Sequence, residues 1–145
     1  MSKYIPQYNI IDHADMVPKD NHGTMVAGII AAKRGNEIDI VGIAPDAKIM
    51  VLNVSNDSGF IRADDVAEAM HYAVDNGADI ISMSFGGSPS QSMKAAIDYA
   101  YSNGLILVAA AGNSRDSTPV TGLAYPAGFS NVVSVGATNE GDSLT

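Results

Sequence analysis

Residues 80–113 read IISMSFGGSPSQSMKAAIDYAYSNGLILVAAAGN, and the fold is decided there. Ile80 to Ser84 is an apolar run of strand length, broken by Gly86-Gly87. Met93, Ala96, Ile97, Ala100 and Tyr101 then recur at helical spacing, and Gly104 stands where a left-handed residue ends a helix. Leu105 to Ala110 is a second apolar run. Strand, helix and strand in so short a span make one crossover unit, and a crossover unit implies parallel strands.

The same cycle extends in both directions. Upstream, Lys48 to Val54 reads as a strand and Asn56 to Gly59 as a turn. Val66, Ala69, Met70, Ala73 and Val74 mark a helix that begins among Asp64, Asp65 and Glu68 and ends at Gly77. Downstream, Val132 to Val135 is a further strand. Nearer the N-terminus, Gly23 to Lys33 is a helix that is apolar or small on nearly every side. Such a helix is expected to be buried, with Asp20 or Asn21 as its cap. A polar loop from Gly35 to Asp39 and a short strand from Ile40 to Ile43 follow it, and Tyr8 to Ile11 is a short strand in an irregular leader, residues 1–21. The expected architecture is α/β, in three layers: a mostly parallel sheet with helices on both faces. No linker, low-complexity tract or internal repeat divides the chain, so residues 1–145 read as a single domain.

The composition supports a packed core and limits the partners. Of the 145 residues 46% are hydrophobic and 17% charged, and the formal net charge is −8. That balance speaks against nucleic acid, whose phosphates reward Lys and Arg, and against an anionic membrane surface. The longest apolar run, Leu105 to Ala111, is too short to span a bilayer. The first residues, Met1 to Gln7, have no apolar core of the kind a signal peptide carries. Without cysteine, disulfides, thiolate catalysis and thiolate zinc sites are ruled out.

In an open parallel sheet, binding sites gather at the carboxyl ends of the strands. Ser84-Phe85-Gly86-Gly87 follows one strand and Ala111-Gly112-Asn113-Ser114 the next, so the two segments face one crevice if the strands are neighbours. The first segment is either a plain glycine turn or an open edge that pairs with an extended peptide. Asn113 is either a turn residue or an amide donor to a developing oxyanion. His22 opens its helix beside Gly23, which keeps side-chain bulk away from the ring. It is either a structural histidine or a general base. His13 and His71 fit no two-histidine zinc pattern, and no phosphate-binding glycine motif occurs.

Taken together, these segments resemble the subtilase family of serine proteases. His22-Gly23-Thr24-Met25-Val26-Ala27-Gly28 resembles the family's H-G-T-x-V-A-G motif, and Gly42-Ile43-Ala44-Pro45 its G-[VI]-A-P. Ser82-Met83-Ser84-Phe85-Gly86-Gly87 resembles N-M-S-[LF]-G-G, and Val108-Ala109-Ala110-Ala111-Gly112-Asn113 resembles V-A-A-A-G-N. Tyr125-Pro126-Ala127 and Val133-Ser134-Val135-Gly136-Ala137 resemble the segments that follow, so the matching core runs in order over residues 22–137.

The resemblance implies a serine endopeptidase acting on an extended polypeptide through a Ser-His-Asp mechanism. His22 would be the general base and Asn113 the oxyanion donor. Ser84, Phe85 and Gly86 would pair with the substrate backbone, Ala110, Ala111 and Gly112 would line the side-chain pocket, and Gly59 would stand on the opposite wall. The chemistry needs no cofactor. A structural Ca2+ would sit in the loop from Arg34 to Ile40, with oxygens from Asn36 and the carbonyls of Ile38 and Ile40.

The family's aspartate motif, D-[ST]-G, and its nucleophile motif, G-T-S-M-A-x-P, do not occur in the 145 residues. Asp12, Asp15 and Asp20 precede His22 but lack the Ser-Gly or Thr-Gly that follows a triad aspartate. The chain therefore reads as a domain truncated at both ends, inactive by itself. The alternative is a catalytically dead module that keeps the peptide cleft. A sheet missing strands also exposes pairing edges, which points to self-association.

Overall fold

The computed structural model describes residues 7–15, 21–37, 40–113 and 124–143. It comprises two compact units, residues 1–65 and 66–145.

In the first unit, β1 (Tyr8–Asn9) and β2 (Ala14–Asp15) form an antiparallel pair, and β1 also pairs in parallel with β3 (Leu52–Asn53). The strand order is β2-β1-β3. Asn9 is buried where the two parallel strands meet. Its Oδ1 accepts from Ile11 N at 3.1 Å and from Asn53 Nδ2 at 3.1 Å, and its Nδ2 donates to Asp12 Oδ2 at 2.7 Å. A buried amide with every group partnered costs little, and the side chain that holds β1 to β3 is therefore polar. Of the expected strand over Lys48–Val54, Leu52–Asn53 form β3 and Ile49 makes an isolated bridge.

α1 (His22–Ala31) begins at Asn21, whose carbonyl accepts from Met25 N at 2.9 Å. Asn21 occupies the cap position, but its side chain makes no capping hydrogen bond, and Asp20 lies outside the described residues. The expected strand at Ile40–Ile43 is instead a strap across the end of this helix. Gly42 N donates to Ala32 O at 3.0 Å, Ile43 N to Ile29 O at 3.0 Å and Ala44 N to Ile30 O at 2.8 Å. The last carbonyls of a helix have no partner within it, and this segment satisfies two of them and that of the C-cap residue Ala32. The approach is close enough to require glycine: a Cβ on Gly42 would lie 2.4 Å from Ala31 N. The expectation that α1 is buried holds only for Ala31; Met25 and Ile29 stay exposed, because the described residues do not cover their side of the helix.

α2 spans Ala63–Asp75, with Asp64 and Asp65 in its first turn, where the helix dipole favours negative charge. The second unit contains β4 (Ile80–Met83), α3 (Gln91–Ser102), β5 (Ile106–Ala110) and β6 (Val133–Val135). Its sheet runs β4-β5-β6, parallel throughout, with Ile80 opposite Ile106, Met83 opposite Ala109 and Ala110 opposite Val135. The α/β class is as expected.

Both helices stop on a glycine in the left-handed region, Gly77 at φ +73 and Gly104 at φ +87. Ala78 N reaches back to Ala73 O and Leu105 N to Ala100 O, and the glycine N–H groups bond Val74 O and Tyr101 O. These are paired bonds of the Schellman type, which turn the chain from helix into the next strand. Met83, Leu107 and Ala109 point to the face that α3 covers and are buried with Met70, Ile97 and Ala100. On the other face, Ile80, Ile106, Val133 and Val135 are each at least half exposed. The expected second helical layer is not formed by the described residues of this unit.

Candidate active site

The register of the second sheet assembles most of the site. Because Met83 pairs with Ala109, the segment after β4 and the segment after β5 leave the sheet side by side. Ser84, Phe85 and Gly86 thus lie along Ala110, Ala111 and Gly112 at the carboxyl edge of neighbouring parallel strands, where the sequence pattern places a crevice. Ser84 and Gly86 are exposed and Phe85 is half-buried. The backbone groups of Phe85 and Gly86 make no hydrogen bond to other described residues.

Ala110 closes β5 against Val135, and Ala111 N donates to Val135 O at 2.9 Å. Gly112 takes φ +102, a conformation that favours glycine, and turns the chain so that Asn113 stands exposed beyond the strand end.

Residues 124–129 complete this edge. Tyr125 and Gly87 form an antiparallel bridge, with Gly87 N donating to Tyr125 O at 2.9 Å and Tyr125 N to Gly87 O at 3.0 Å. Ala124 N donates to Ala111 O at 3.1 Å. Pro126 and Ala127 are buried, and the Tyr125 and Phe129 rings meet edge to face with centroids 4.6 Å apart. Sequence reasoning noticed Tyr125-Pro126-Ala127 as a motif but gave Ala124 no part in the site. A single alanine beside a motif carries no local signal of a contact made across the fold.

The remaining candidates belong to the first unit. His22 is the first residue of α1, exposed at its N-terminal end, with Gly23 beside it open to solvent. Gly59 lies in a tight turn at φ +74, closed by the bridge between Ser55 and Ile61. Asn56 organises that turn: its Oδ1 accepts from Ser58 N and Phe60 N, both at 3.0 Å, and its carbonyl accepts from Gly59 N at 2.9 Å. Phe60 is 63% exposed next to Gly59.

Asp12 is exposed and engaged with Asn9; Asp20 lies outside the described residues. In the loop from Arg34 to Ile40, Ile38 lies outside them too, and Asn36 Nδ2 donates to Ile40 O at 3.0 Å. That contact turns an N–H toward one of the expected ligand oxygens.

Comparison with known proteins agrees with these features. The Subtilase family model (peptidase S8) matches residues 1–145. The chain is 39% identical over 145 residues to the thermophilic serine proteinase of Bacillus sp. (strain AK1), covering 98% of this chain and 35% of that protein. It is 38% identical over 144 residues to thermitase of Thermoactinomyces vulgaris, covering 97% of this chain and 50% of thermitase. Among solved structures, sphericase superposes with a TM-score of 0.81 at 32% identity, covering 97% of this chain and 50% of sphericase. The chain thus spans half or less of the length of these relatives. On the full-length family match, supported by the motifs in order and the shared fold, the chain belongs to the subtilase family.

Proposed function

We propose that residues 1–145 form part of the catalytic domain of a subtilisin-like serine endopeptidase, with His22 as general base and Asn113 as oxyanion donor. One observation carries the reading. Two segments with the family's peptide-binding and oxyanion patterns leave neighbouring parallel strands together, and the backbone groups of Phe85 and Gly86 make no hydrogen bond to other described residues. An extended substrate would pair with Ser84, Phe85 and Gly86, its side chain before the scissile bond resting against Ala110, Ala111 and Gly112. A serine hydroxyl attacks the scissile carbonyl and its proton passes to the His22 imidazole. The carbonyl oxygen becomes an oxyanion, to which the Asn113 amide donates, and collapse of this intermediate returns the proton from His22 to the leaving amine.

The serine and the orienting aspartate are not identifiable by motif within these residues, and acyl transfer needs a nucleophile. The 145-residue polypeptide therefore binds peptide without cleaving it. A catalytically dead peptide-binding module would behave alike, but it would gain nothing from a base and an oxyanion donor. The test has two arms. A serine-directed fluorophosphonate should leave the chain unlabelled, and stoichiometric labelling would refute the missing nucleophile. Titration with a blocked alanine tetrapeptide should shift the amide resonances of residues 84–86 and 110–113; shifts elsewhere, or none, would refute the assigned cleft.

A further inference from the structure

We propose that Ala124 is a positioning residue: its methyl group is seated between Gly86 and Gly112 and holds the segment after β4 and the segment after β5 in one register. A Cβ placed on Gly86 would lie 2.6 Å from the Ala124 Cβ, and one placed on Gly112 would lie 3.3 Å from it. The methyl therefore occupies the room that side chains at positions 86 and 112 would need. Gly86 is glycine because another residue's side chain fills its place, in addition to any need for an open peptide-binding edge.

The backbone of the same residue is tied on both sides. Ala124 N donates to Ala111 O at 3.1 Å, and Ala124 O accepts from Gly128 N at 3.0 Å. The next residue, Tyr125, exchanges two hydrogen bonds with Gly87. Residues 124 and 125 thus fasten at once to position 87 beyond β4 and to position 111 beyond β5. Buried Pro126 and Ala127 anchor the strap. Beyond the strand ends the ladder no longer holds the two segments together, and Ala124 takes over that task. If Asn113 donates to an oxyanion while Ser84 to Gly86 hold the substrate, the strap fixes the distance between those functions; that consequence rests on the proposed function, whereas the coupling does not.

The experiment is a size exchange in the 145-residue chain, read by amide NMR with thermal unfolding as the control for folding. Gly86→Ala should shift the amide resonances of Ala111, Gly112 and Asn113 as well as those of Gly87 and Tyr125, and should weaken binding of the blocked alanine tetrapeptide roughly tenfold. Ala124→Gly, introduced into the Gly86→Ala chain, should return both the shifts and the affinity toward the parent. A merely local disturbance would not be rescued from a position so distant in sequence. Perturbation by Gly86→Ala confined to residues 84–87, or a folded double variant without rescue, would overturn the proposal. If Gly86→Ala does not fold, Ala124→Val applies the same pressure from the other side: shifts at both segments support the coupling, and shifts confined to residues 124–129 refute it. Failure of the parent chain to bind the tetrapeptide would refute the peptide cleft, while the shifts would still decide on the strap.

Discussion

Replacing Gly42 with alanine should unfold the C-terminal end of α1. The added Cβ would lie 2.4 Å from Ala31 N, 2.5 Å from Ala32 N and 2.6 Å from Ala31 Cα. All three are backbone atoms of a helix end, so no side-chain rotation relieves the overlap. The strap must move away by about 1 Å to restore ordinary van der Waals separation. That movement breaks or stretches the hydrogen bonds from Gly42, Ile43 and Ala44 to the last carbonyls of α1, now 2.8 to 3.0 Å long. Gly42 and Ala31 are both buried, which hinders water from replacing those bonds. At about 1 kcal/mol for each of three bonds, the loss is about 3 kcal/mol, a large share of the stability of a typical domain.

Urea unfolding followed by far-ultraviolet circular dichroism measures it, with Gly77→Ala as the comparison. Gly77 has open space around its Cβ position but sits at φ +73, so that variant should lose only about 1 kcal/mol, from backbone strain. A Gly42→Ala chain as stable as the parent, or no less stable than Gly77→Ala, would refute the close-approach argument.

Other consequences are measurable in the same chain. Asn9→Ala should cost about 2 kcal/mol, because it strands Ile11 N and removes the amide link to Asn53 in a buried position; equal urea midpoints for variant and parent would show that water replaces the network. The Lys94 hydrogen bond holds the Asp98 carboxyl below its usual pKa, the attraction of the Lys94 charge and the Asn131 amide add to it, and desolvation opposes it. A lowered folded-state pKa means that the carboxylate stabilises above the unfolded pKa and loses that contribution as pH falls through the folded value. Asp98→Asn should therefore be less stable than the parent at neutral pH and approach it in acid, and a difference that grows on acidification would reverse the assigned sign. The exposed face formed by Ile80, Ile106, Val133 and Val135 should drive self-association that Ile106→Lys disperses; a monodisperse monomer at high concentration, by sedimentation velocity, would refute it.

The second unit was legible where the signal is local. Helical spacing located α2 and α3, and Gly77 and Gly104 marked their ends because a left-handed residue is cheapest as glycine. Apolar runs located β4 and β5, and the two site segments after them were found from their order along the chain. Pairing was not legible: Lys48–Val54 has the composition of a longer strand, but among the described residues only Leu52 and Asn53 join a ladder. Ile40–Ile43 has strand composition too, yet its donors are spent on a helix end. The link between Ala124 and Gly86 is steric and non-local, and a glycine reads the same in a sequence whether it serves an open turn or makes room for a methyl group.

The strap through Ala124 and Tyr125 has a consequence for the order of assembly. Gly87 and Tyr125 are separated by all of α3 and β5, so their bridge closes a long loop and pays its entropy only after the parallel ladder has formed. The two site segments therefore acquire their final spacing late in folding. In native-state hydrogen exchange, the Gly87 and Tyr125 amides belong to a unit that opens before the β4–β5 ladder does, so the site loses its shape while the sheet beneath it is still intact.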